Sequence, residues 1–361
     1  MVAATAVADR VVGNLRRLDG PPRIPGLDLA RGLAVIGMLA AHLFTLPEID
    51  WTDPATWGGI AGGRSSILFA TLAGVSISIV TTGPRAPREP GRWLAWRALV
   101  LWVIGIALIL TGVPVYVILP AYAILFAAAI PFVRVRTGAL WTWAVAVATV
   151  VPWLLPPIEA ASFWDTAPGE ALFLVTGWAY PAPLWLAFLL AGMAIGRLDL
   201  TRVAVLWITA GVGMAVAAVA ETLAVVLPAP EDDYLGQVWR ASEHSGGILE
   251  VWGSGGFAIA IIALCVLVCR TVLRALVLPI RTLGAMPLTA YSAQIVVWAV
   301  WAFVALGTTS DLFGFRALNP FWPMTLGIIA ACLVWALLLG RGPLERLVDR
   351  VSRPRADRLA G

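Results

Sequence analysis

GLDLARGLAVIGMLAAHLF, residues 26–44, is apolar enough for a bilayer yet carries Asp28, Arg31 and His42. An ionisable side chain inside a membrane span is costly, so each of the three marks a candidate site unless it escapes to an interface. Arg31 and His42 are eleven residues apart, and eleven steps of about 100° return a helix to within roughly 20° of its start. They therefore share one face, about 16 Å apart along the axis at 1.5 Å per residue. Asp28 lies one turn before Arg31, within pairing distance on a helix.

The rest of the chain has the same character. Of 361 residues, 60% are hydrophobic and 13% charged, and the mean hydropathy is +0.88. Soluble domains carry about twice that charge. Apolar runs of about 20 residues recur, the length of a helical span and longer than a barrel strand. The predicted fold is therefore all-α, a polytopic integral membrane helical bundle. Ten spans are expected, at residues 27–46, 60–81, 94–112, 114–133, 139–156, 181–197, 203–227, 246–269, 283–306 and 320–340. Residues 168–180 are apolar but too short to cross and are expected at the interface.

All 25 basic residues are Arg, and the formal charge is +4. With the N-terminus in the cytoplasm, 21 of the 25 fall before span one, after span ten or in alternate loops, which is the positive-inside pattern with both termini inside. Such scattered, loop-bound arginines set orientation, so a nucleic-acid partner is excluded. Residues 1–25 have no apolar core and so resemble no cleavable leader, which makes span one an expected uncleaved signal anchor. The tail at 341–361 is basic and suits the inner leaflet, where membrane lipid is its partner. The acidic outer-loop residues Glu48, Asp50, Asp53, Glu159, Asp165, Glu231, Asp232 and Asp233 are expected only to keep loops in water. Cys265, Cys269 and Cys332 have no metal spacing, and no metal is expected.

Other polar residues enter the apolar segments. Arg64 and Ser65 open span two from the side on which His42 lies, and an arginine there can hold an anion or an oxyanion. His244 and Glu250 stand six residues apart at the entry to span eight, too far around the helix to form a metal pair. Tyr291 and Gln294, three residues apart in span nine, either bridge helices or line a pocket. For each there is a plainer alternative: Asp28 and Arg31 at the inner interface, His42 in outer water, Arg64 as an anchor.

These stretches carry a resemblance. LDLARGLAVIGMLAAHLF, the GGRSSILFATLAGVS of span two and the closing GPLERLVDR resemble the bacterial YeiB-type membrane proteins. That group is similar to heparan-alpha-glucosaminide N-acetyltransferase and, more distantly, to the type-three transmembrane acyltransferases. The type-three pattern of a basic residue, ten intervening residues and a histidine reads here as Arg31 to His42. The resemblance implies an acyltransferase domain over residues 26–340 of an inner (cytoplasmic) membrane protein. It would take an acyl group, acetyl in particular, from cytoplasmic acyl-CoA to an extracytoplasmic glycan, sugar or lipid acceptor.

In that scheme His42 and Arg31 are catalytic, and Asp28, Arg64, Ser65, His244, Glu250, Tyr291 and Gln294 bind substrate. The heparan enzyme has Asn where His42 stands and its catalytic histidine in the following loop, whereas residues 43–63 hold no histidine. Either His42 serves in its place, as in the type-three enzymes, or the chemistry is lost. The competing expectation is a transporter or flippase in which His42, Glu221 and Glu250 relay protons. A homo-oligomer is compatible with either.

Overall fold

A computed structural model describes residues 2–21, 23–47, 49, 52–84, 86–227 and 233–352. The described chain is helical, with no strand among those residues. In order the helices are α1 (Val2–Asp19), α2 (Pro25–Leu43), α3 (Arg64–Thr82), α4 (Pro90–Ile109), α5 (Leu119–Ala128) and α6 (Thr137–Glu159). Then come α7 (Ala167–Thr176), α8 (Ala182–Ile195), α9 (Val203–Val226), α10 (Tyr234–Trp239), α11 (Ile248–Val268) and α12 (Leu273–Leu276). The last are α13 (Leu278–Ala285), α14 (Pro287–Leu306), α15 (Leu312–Ala317), α16 (Phe321–Leu338) and α17 (Pro343–Ser352).

Eight helical segments among the described residues are long and apolar enough to cross a membrane, and the protein is a multi-pass membrane protein. They correspond to eight of the ten spans expected from sequence. The other two, 114–133 and 181–197, are occupied by the shorter helices α5 and α8, of 10 and 14 residues. At 1.5 Å per residue these reach about 15 and 21 Å, less than a roughly 30 Å hydrocarbon core. Proline is the local cause, since Pro120 opens α5, Pro131 follows it, and Pro181 immediately precedes α8. The segment expected at the interface forms α7, ten residues closed by Gly177 at φ +65°.

The chain divides into two compact units. The first comprises residues 1–65, 111–114 and 261–349, and the second residues 66–110, 115–260 and 350–361. In the first unit α2 is central, packing against α13, α14 and α16. Its closest neighbour is α13, where the backbones nearly touch: a Cβ on Gly284 would strike the Asp28 carbonyl oxygen, and one on Gly32 would strike that of Ile280. Without side-chain bulk, apolar helices gain association mostly by such close packing. Arg281 of α13 is 2% exposed. Its guanidinium donates to Asp19 at 2.7 Å and to the carbonyls of Leu18 and Arg274 at 3.0 Å, as a buried cation requires.

In the second unit α6 packs on α8 and α4 on α5, while Gly74 of α3 and Gly192 of α8 bring those two backbones together. Arg197, just past α8, ties the unit's polar edge by donating to Ser78 Oγ at 3.2 Å and to the carbonyls of Val133 and Val135.

The acidic loop residues do more than solvate. Asp53 accepts from Ala55 N at 3.0 Å, and Asp233 caps α10 by accepting from Gly236 N at 2.5 Å. Glu48, Asp50, Glu231 and Asp232 lie outside the described residues, as does the tail beyond Ser352. The three cysteines are free and buried.

The contact between α2 and α13 yields a direct test. Gly284→Val forces a side chain into the α2 backbone and is expected to lower stability by about 1–3 kcal/mol. Thermal unfolding in detergent, monitored by size exclusion after heating, checks this, with Gly211→Val as the control because a Cβ at Gly211 meets nothing within 4 Å.

Candidate functional site

At the Arg31 end of α2 the site begins as an ion cluster. Asp28 stands in the first turn of a helix opened by Pro25, where a carboxylate suits the helix dipole. Its side chain is 2% exposed and is gripped by two arginines: Arg23 Nε at 2.6 Å and Arg31 Nη1 at 2.8 Å. Arg23 also donates to the Ala285 carbonyl at 3.0 Å, joining the cluster to the end of α13. Sequence spacing identified the pair of Asp28 with Arg31. Arg23 entered only as an orientation charge, because its reach around Pro25 depends on the chain's path before the helix.

The other end of α2 carries His42, half-buried one residue before the helix ends at Leu43. Its carbonyl accepts two bonds from Arg316 of α15, from Nε at 3.1 Å and Nη2 at 2.9 Å. A guanidinium there satisfies a terminal carbonyl and opposes the negative end of the helix dipole. Arg316 lies 274 residues from His42 in the chain, and no local pattern signals the contact. Phe44 and Phe321, with ring centroids 4.5 Å apart, close the same corner.

Tyr291 and Gln294 belong to α14, which packs on α2. Both are buried, Gln294 at 2% exposure, and the amide oxygen and nitrogen of Gln294 make no hydrogen bond with the protein. One turn on, Trp298 stacks on Phe315 at 4.8 Å, and Phe315 precedes Arg316. The row Gln294, Trp298, Phe315, Arg316 thus leads from an unsatisfied amide to the His42 carbonyl. Buried amides are nearly always partnered, so Gln294 is an exception among buried polar groups.

Ser65 reaches α2 at Gly37, where a Cβ would strike its hydroxyl. Gly37 is six residues beyond Arg31, so the contact falls about a third of a turn away from the line joining Arg31 and His42. Arg64, the first residue of α3, is half-buried beside it.

In the second unit the structure joins His244 and Glu250, which sequence spacing set apart. Their link is main-chain: the amides of His244 and Gly246 donate to the two Glu250 carboxylate oxygens at 2.6 and 2.7 Å, and Ser245 Oγ adds a third bond at 3.2 Å. Glu250 sits in the first turn of α11 and reaches back in the manner of a capping box. His244 holds a left-handed φ of 59° and lies edge-on to Tyr180 at 5.7 Å. Burial pulls its imidazole below the ordinary histidine range. The pocket it lines with Tyr180's neighbours Ala179 and Pro181 is about 10 Å³, space for a single water.

Residues 23–221, more than half of the chain, match the family described as heparan-alpha-glucosaminide N-acetyltransferase, catalytic. The match begins at Arg23 and takes in Asp28, Arg31, His42, Arg64 and Ser65, while His244, Glu250, Tyr291, Gln294 and Arg316 lie outside it. No curated protein and no solved structure matches the chain.

Two outcomes are expected from this geometry. Asp28→Ala removes the buried carboxylate that two arginines share and should cost about 3 kcal/mol in stability, more than Asp28→Asn, which retains an acceptor; comparative unfolding in detergent checks it. For His244, a folded pKa below the unfolded one means that stability is full above about pH 6.5 and falls as pH drops toward the folded value. His244→Asn, which tolerates the left-handed backbone, should flatten that fall in thermal unfolding measured between about pH 7.5 and 5 relative to the wild type.

Proposed function

The chain belongs to the heparan-alpha-glucosaminide N-acetyltransferase catalytic family, a membrane acetyltransferase family, and from that premise we propose that it moves an acetyl or related acyl group from acyl-CoA in the cytoplasm to an extracytoplasmic sugar or related acceptor. The supporting observation is the layout of α2 within the matched residues. One end carries the Arg23–Asp28–Arg31 cluster and the other carries His42, on a shared helix face. In this proposal both termini lie in the cytoplasm, as the arginine distribution favours, and the membrane is the inner one.

Arg31, steadied by Asp28, contacts a carrier phosphate, for which a guanidinium fork is well shaped. The pantetheine arm runs along α2 toward His42. There the imidazole accepts the proton of an acceptor hydroxyl or amine, and the acceptor oxygen or nitrogen attacks the thioester carbonyl carbon. The C–S bond breaks as the new C–O or C–N bond forms, and the departing thiolate takes up the proton to leave as CoA. Arg64 and Ser65 orient the acceptor or steady the thioester oxygen. Gln294, buried and unsatisfied, offers a hydrogen bond to the same acceptor.

The test is transfer of radiolabelled acetyl from acetyl-CoA by the purified chain in vesicles containing an envelope glycan extract. His42→Ala should reduce turnover by at least about a hundredfold while carrier binding persists, because a base acts chiefly in the transition state. Arg31→Lys should bind carrier more weakly, since lysine keeps the charge but not the fork. Full transfer by His42→Ala would remove the histidine from the mechanism, and solute uptake without acyl transfer would point instead to a transporter.

A further inference from the structure

Between α14 and α16 runs an apolar groove of about 310 Å³, and it lies apart from the residues assigned above to acyl transfer. It is walled by Val297 and Trp301 on α14 and by Gly327, Ala331 and Trp335 on α16, with Met286 and Thr289 at one end. From Met286 to Trp301 it follows about 22 Å of α14, more than half of a roughly 30 Å hydrocarbon core. Val297 is exposed along it, and a Cβ at Gly327 meets nothing within 4 Å, so the groove is open along its side.

The Met286 end is closed by a turn rich in arginine. Trp335, a wall residue, donates its indole N–H to the Arg341 carbonyl at 3.0 Å, and a Cβ on Gly342 would come within 2.8 Å of Met286 and Thr289 atoms. Arg346 donates to the Leu339 carbonyl, and the Arg17 guanidinium lies over Gly340, about 3.0 Å from where a Cβ would stand. Gly340 takes a φ of 87°, the backbone state that lets the turn fold under these side chains.

Charge in this turn is unbalanced. Three arginines, Arg17, Arg341 and Arg346, gather here against two carboxylates: Asp349 pairs with Arg341 at 2.7 Å, and Glu345 accepts from the amides of Leu288 and Thr289 and from the Thr289 hydroxyl. Burial, and then the fields of Arg23, Arg341 and Arg346, lower the Arg17 pKa from its ordinary value. Cations crowded together in this way gain from an anion placed among them. Beside them lies a slot shaped for a chain and lined by carbon.

We propose that the groove and the arginine turn form one binding site for an anionic phospholipid, with its phosphate on Arg17, Arg341 and Arg346 and one acyl chain between α14 and α16. Basic pockets beside transmembrane helices recognise such headgroups, and the apolar slot adds the selectivity for a lipid over a free phosphate. The site stands independently of the acyl-transfer proposal.

Native mass spectrometry of the full chain released from mild detergent tests it, with phosphatidylglycerol and phosphatidylcholine of identical acyl chains as probes. Phosphatidylglycerol should be retained about tenfold more strongly, with each arginine contributing about fivefold at most. The combined Arg17→Gln, Arg341→Gln and Arg346→Gln substitutions should abolish that preference. Gly327→Trp, which fills the groove, should weaken retention of phosphatidylglycerol about tenfold with the arginines intact. If the triple variant does not fold, Arg346→Gln alone should still lower the preference severalfold. Equal retention of the two lipids, an unchanged preference in the arginine variants, unaltered retention by Gly327→Trp, or complete displacement of phosphatidylglycerol by millimolar glycerol phosphate would each overturn the proposal.

Discussion

The Asp28 carboxylate, held by Arg23 and Arg31 with almost no exposure, is the constraint around which the first unit is arranged. A lone carboxylate at that depth is prohibitive, and two guanidiniums turn it into a net cationic cluster that is tolerable only when each partner is also anchored. Arg23 meets this condition by bonding to the end of α13, and the same helix presents Gly284 flush against the Asp28 backbone. The ion cluster and the backbone contact therefore depend on each other: a bulkier residue at 284 would lift α13 off α2 and withdraw the carbonyl that Arg23 uses.

A similar economy operates at the far end of α2. Arg316 satisfies the His42 carbonyl, and Phe315 beside it stacks on Trp298, so the short helix α15 couples α14 to the end of α2. A histidine held through its carbonyl has its backbone anchored independently of its ring. Such an arrangement suits a group whose position matters more than its contribution to stability. Gln294 on α14 stands in contrast: a buried amide without a protein partner costs stability.

Glu250 illustrates the opposite outcome. In sequence it is a carboxylate entering an apolar span, the same signal that drew attention to Asp28. In the structure its oxygens are occupied by the amides of His244 and Gly246 and by Ser245, so its evident work is to cap α11 and shape the preceding loop. The two carboxylates differ in what surrounds them, main-chain amides in one case and guanidiniums in the other.

Composition, the length of the apolar runs and the spread of arginines sufficed to establish a multi-pass helical membrane protein, because a bilayer imposes its thickness and its intolerance of unpaired backbone on any chain that crosses it. Helical periodicity likewise put Asp28 next to Arg31 and aligned Arg31 with His42, since contacts within one helix follow from its pitch. The prolines that shorten α5 and α8 also stand in the sequence, as a local cause. What lay beyond it was the set of groups that fold onto the ends of helices: Arg23 and α13 at one end of α2, Arg316 at the other, and the loop amides around Glu250. Arg316 and the end of α13 come from more than 250 residues away, while Arg23 and the loop amides lie within six residues of their carboxylates but reach them only through the path of a non-helical turn; helical spacing encodes neither kind of meeting, and the packed backbone decides both.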